Sequence, residues 1–164
     1  MDSWRVTLMK RALVCLAACA AALLLLPATV HAAPDLAGEW KLSIAKSNYG
    51  AFPAPLAMTR TIKHDGVTLT MHSVQKSAQG EVTSDLKYTT DGKESVNKVQ
   101  GGESKGTAQW IGDKLMIESA REFQGVVLKQ KEIWTLAPDG KTLTIDSHVT
   151  LPNGEFDVKQ VFEK

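Results

Sequence analysis

From Leu36 onward, apolar side chains recur at every second position in short runs, and each run stops at a turn-forming group. Trp40, Leu42 and Ile44 share one parity, as do Leu69 and Met71, Leu115 and Ile117, and Leu143 and Ile145. A period of two is that of a strand with one buried face. The breaks are His64-Asp65-Gly66, Gln79-Gly80, Asp91-Gly92, Gly101-Gly102, Gly112-Asp113, Gln124-Gly125, Asp139-Gly140 and Asn153-Gly154. Such pairs suit the backbone of tight hairpins. Ten strands are expected, at about 37–45, 57–64, 67–76, 81–90, 93–97, 104–111, 114–122, 126–136, 142–151 and 155–163. Short turns make sequence neighbours pair antiparallel. The fold class expected is therefore all-β, an antiparallel up-and-down barrel of about 8–10 strands whose closure removes exposed edges. A two-sheet sandwich from the same strands is the alternative. The one long connection, 46–56, holds Pro53 and Pro55 and reads as a lid-like loop or a short helix.

The first 32 residues follow another rule. Arg5, Lys10 and Arg11 precede an apolar run from Ala12 to Leu26, then Pro27 and the small-residue end Val30-His31-Ala32-Ala33. Basic start, short apolar centre and small-residue end are the parts of a secretory signal peptide. The run is shorter than the roughly 20 residues of a membrane span. The expected organisation is a signal peptide at 1–32, cleaved near Ala32 or Ala33, and one domain at 33–164, placed in the periplasm or secreted. Leu16-Ala17-Ala18-Cys19 also resembles a bacterial lipobox, so lipidation at Cys19 is a second route, and an uncleaved anchor a third.

Composition narrows the chemistry. Both cysteines, Cys15 and Cys19, lie in the leader, so residues 33–164 have no disulfide and no thiol ligand. That segment carries 16 basic and 17 acidic side chains, which gives no reason to expect nucleic acid or an anionic membrane as partner. His64, His72 and His148 sit far apart with no metal-ligand spacing, so neither a metal site nor a cofactor is expected. Ser73, Ser119 and Ser147 lack the setting of a nucleophile elbow.

Gly38-Glu39-Trp40 on the first strand resembles the Gly-x-Trp motif that opens lipocalins, and the order of features is similar: signal peptide, first strand, long loop, hairpin meander. The mature chain thus resembles small bacterial lipocalin-like proteins of the calycin group. The resemblance implies a barrel that holds one small apolar or amphipathic molecule. It spans 33–164 as architecture, with one three-residue motif. The lipocalin disulfide and a Thr-Asp-Tyr motif are absent. So is an evident basic residue on the last strand to cover the Trp, since Lys159 has outward parity and Gln160 takes the inward place.

Parity and strand alternation sort the interior by height. Trp40, Trp110 and Trp134 fall at the end closed by tight turns, with Tyr88 nearby. The open end receives Arg60, Gln75, Ser119 and Arg121, with Glu132 close by. An inward guanidinium is costly unless paired, and its planar fork suits carboxylate or phosphate. The expected ligand site is Arg60, Arg121, Glu132, Tyr88, Gln75 and Ser119, holding an amphiphile with its tail toward the tryptophans and its head at Arg60 and Arg121. A rival reading has a solid core and works through its loops as an interaction module or enzyme inhibitor. A third, a barrel enzyme, would need Arg60, Tyr88 or Glu132 in polar roles; no catalytic residue is assigned.

Overall fold

A computed structural model describes residues 33–123 and 125–164. The expected leader, including Cys19, lies outside the described residues. Ten strands follow in order: β1 Gly38–Leu42, β2 Ala57–Asp65, β3 Thr68–Ser77, β4 Gly80–Thr89, β5 Asp91–Val99, β6 Gly102–Ile111, β7 Lys114–Phe123, β8 Val126–Leu136, β9 Thr142–Leu151 and β10 Gly154–Glu163. All ladders are antiparallel, and the sheet order is β4-β3-β2-β1-β10-β9-β8-β7-β6-β5. Consecutive strands pair except β4 and β5, β1 joins β10 through Lys41↔Glu163 and Leu42↔Phe162, and the sheet curls into a nearly closed barrel.

The ladder is interrupted once, between β4 and β5. There the side chains of β5 stand in for a backbone partner. The Lys87 amide donates to Asn97 Oδ1 at 2.6 Å, and the Thr89 amide donates to Ser95 Oγ at 3.3 Å. Asn97 is buried while its neighbour Val96 is 53% exposed, so β5 turns a polar face inward.

Two stretches depart from the expected parity. β1 ends at Leu42, because Ile44–Lys46 form a 3-10 turn and the chain leaves the wall as a strap. The strap stays bonded to β10: the Ser43 amide donates to Val161 O, and Asn48 and Lys159 exchange two backbone bonds at 2.7 Å. Ile44, expected inside, is therefore exposed, and Val161, of outward parity, is buried where the strap meets it. Val67 and Val82, also expected inside, are largely exposed near strand ends.

The core gathers at the end closed by the β2–β3, β4–β5, β6–β7 and β8–β9 turns. Trp40, Trp134, Phe162, Leu36, Ile62, Leu69, Leu115 and Leu143 are all buried there or just above. The Trp40 indole Nε1 donates to Leu36 O at 3.0 Å, tying the segment before β1 to the barrel. Over the Trp40 ring, 4.6 Å from its centroid, lies Lys164 Nζ. The covering basic residue that the sequence does not reveal on β10 is thus supplied one position beyond it. Gly38 makes room for it: a Cβ there would stand 2.7 Å from Lys164 Cε, and its φ of +140° is one that side chains rarely adopt. Trp110 is not part of the sealed plug. It is half-buried and tilts against the His64 ring at 5.8 Å.

Candidate functional site

Above the aromatic floor the barrel holds a cavity of about 430 Å³ that opens to solvent. The interior is thus not packed solid, which removes the premise of the reading that places all function in the loops. Arg60, Arg121, Glu132, Tyr88, Gln75 and Ser119 all line this one cavity. Met58, Met71, Val82, Leu86, Val99 and Leu128 supply its apolar wall.

Arg60 and Arg121 do not sit as an equivalent pair at the mouth. Arg60 leaves β2 and reaches down to the floor. Its guanidinium carbon lies 5.3 Å from the Trp134 ring centroid and 4.9 Å from that of Phe162. Arg60 is 8% exposed, and burial pulls its pKa down, opposed by the charge of Glu132. Its Nε donates to Ser73 Oγ at 3.1 Å, while Nη1 is buried without a partner. A buried donor left unbonded costs about 1–3 kcal/mol, more when charged. Arg121, near the β7–β8 turn, is exposed at the rim. The expected orientation, with head at the mouth and tail at the tryptophans, therefore does not match the floor, where the buried cation lies among the aromatic rings.

Glu132 and Trp134 are two apart on β8 and face the same side. Trp134 Nε1 donates to Glu132 Oε2 at 2.9 Å, and Gln130 Nε2 donates to Oε1 at 2.7 Å. One residue, Trp134, thus holds the carboxylate with its N–H and faces the guanidinium with its ring. Tyr88 stands in the same cavity, its phenol pushed up to about 12 by burial first and by the Glu132 charge second.

Tyr49 is a contributor that sequence reasoning missed. It sits in the long loop, half-buried, where its Oη accepts from Gln160 Nε2 at 3.3 Å. Burial raises its pKa, while the Gln160 bond and the Arg60 charge lower it. An aromatic in the polar run Ser47-Asn48-Tyr49-Gly50 is the only sequence signal for this role. Among the described residues, no group of three or more His, Cys, Asp and Glu could hold a metal ion, and no helix is long and apolar enough to cross a membrane.

Comparison with solved structures adds to this geometry. The chain is similar to zebrafish ileal bile acid-binding protein complexed with cholic acid, at 19% identity over 78% of this chain and 97% of that one, with a TM-score of 0.56. It is also similar to a fatty acid-binding protein from Drosophila melanogaster brain tissue, at 17% identity over 77% and 97%, with a TM-score of 0.51. The fold is calycin-like. A secretory abundant heat soluble protein from Ramazzottius varieornatus shares it at 15% identity over 79% and 94%, with a TM-score of 0.55. Identities this low speak for the calycin-like barrel alone, and one barrel serves many ends. Lipocalin barrels have eight strands and this one has ten, so the likeness is that of the calycin-like barrel fold. No family model matches the sequence, and neither does any curated protein.

Proposed function

We propose that this protein, exported and freed of residues 1–32, holds one small amphipathic molecule inside its barrel, with an anionic group against Arg60. The observation that carries this reading is the buried Arg60 guanidinium, with Nη1 unpartnered, in the wall of a cavity open enough for a ligand. The bile acid- and fatty acid-binding proteins that share the fold support the same class of cargo. The apolar part of the ligand lies along Met58, Met71, Leu86 and Leu128 toward the mouth, where Arg121, Gln75 and Ser119 meet it. This reverses the orientation expected from sequence. Aromatic rings beside a guanidinium make a floor for a head group rather than a slot for a tail.

The test is mass spectrometry of an organic extract from protein purified after export in its native host, with Arg60→Met prepared in parallel. Methionine keeps much of the side-chain length and offers an apolar, flexible stem to the Trp134 and Phe162 rings. A stoichiometric anionic amphiphile is expected on the wild type and absent from the variant. An amphiphile carried equally by both would remove Arg60 from the site. Export has its own check: N-terminal sequencing of the exported chain is expected to begin near Ala33, and an intact Met1 would overturn cleavage.

A further inference from the structure

The cavity wall carries two opposite charges that do not pair. Arg60 and Glu132 both line it, yet no ion pair joins them. Each is detained by neighbours instead. Ser73 and the rings of Trp134 and Phe162 hold the guanidinium, and Gln130 and Trp134 hold the two carboxylate oxygens. Trp134 touches both groups, its N–H on the carboxylate and its ring against the guanidinium. Arg60 Nη1 is left with no acceptor, and each carboxylate oxygen, with one donor, has room for a second.

The interior charges cancel as they stand. Arg121 lies exposed at the rim, where solvent and salt screen it. A plain monocarboxylate settling on Arg60 would leave the half-buried Glu132 carboxylate with no counter-charge beside it. A charge partly withdrawn from water and left uncompensated is costly. A molecule carrying both signs avoids this, because each of its charges meets its opposite and the interior stays neutral. Tyr88, the remaining titratable group in the cavity wall, keeps its proton far above neutral pH and adds hydrogen-bonding capacity without a charge.

We propose that the cavity takes a dipolar ligand, its carboxylate-type group on Arg60 and an ammonium group on Glu132, with a short apolar chain toward the mouth. This rests on the reading of the cavity as a ligand site and narrows it.

Three probes of nearly equal size separate the possibilities: octanoate, octylamine and 2-aminooctanoate, titrated calorimetrically into the full-length chain at neutral pH. The amino acid is expected to bind at least tenfold more tightly than either single-charge probe. Glu132→Gln is expected to erase that advantage and to leave octanoate binding as tightly as 2-aminooctanoate, or more so. Should that variant not fold, Arg60→Met serves in its place, with octylamine binding kept and both carboxylates weakened at least tenfold. Octanoate matching 2-aminooctanoate in the wild type would overturn the dipolar assignment while leaving the anionic-ligand reading intact. No heat from any of the three into the millimolar range would overturn both.

Discussion

At the scale of single residues, the charged and hydrogen-bonding groups of the cavity wall act on one another. Tyr88 shows this through its proton. Burial and the Glu132 carboxylate together push the phenol up to about 12, against the pull of Arg60. A tyrosine in the unfolded chain titrates near 10. The folded pKa is therefore the higher one. The stability linked to it is intact below pH 10 and is lost as pH rises from 10 toward 12, because the unfolded chain sheds a proton that the folded one keeps. Tyr88→Phe removes this contribution. Its urea midpoint is expected to fall less between pH 10 and 12 than that of the wild type, and equal falls would refute the assignment. The residues of the site were largely legible in the sequence, since parity alone sets Arg60, Gln75, Tyr88, Ser119, Arg121 and Glu132 on inward faces. What parity does not give is depth. A long side chain such as Arg60 ends well away from its own Cα, and only the positions of Trp134 and Phe162 reveal where. Lys164 escaped for a related reason: it lies beyond the last strand, so no strand pattern includes it.

At the scale of elements, the strands could be read because turns and alternation agree at nearly every hairpin. They disagree at β5. Its inward positions are Ser95 and Asn97 and its exposed one is Val96, the reverse of a core strand. The reason is the seam with β4, where those polar side chains take the place of ladder carbonyls. Asn97→Ala removes the acceptor for the Lys87 amide. Hydrogen exchange at Lys87 is expected to quicken at least tenfold in that variant, while amides in the β7–β8 ladder stay at wild-type rates. Unchanged exchange at Lys87 would mean that this side-chain bond does not close the seam. The strap at Ser43–Asn48 was hidden in the same way. Its sequence continues the alternation of β1, but bonding to β10 from outside the wall turns Ile44 outward and covers Val161.

At the scale of the whole molecule, ten strands are held by packing and backbone bonds with no covalent tie, because residues 33–164 contain no cysteine. Thermal unfolding of the full-length chain is expected to be the same with and without a thiol reductant. A midpoint that moves on reduction would contradict a fold independent of Cys15 and Cys19. Architecture of this kind also binds distant parts of the chain together, since the first strand meets the last through Lys41 and Glu163.

The interrupted seam between β4 and β5 has a mechanical consequence. A tube slit along its length resists bending almost as well as an intact one, yet yields readily to twist. Two hydrogen bonds, from the Lys87 and Thr89 amides to Asn97 and Ser95, clasp this slit where every other boundary carries a backbone ladder. The barrel is therefore stiff around most of its circumference and torsionally soft along one line, and sliding along that line changes its bore without breaking a ladder.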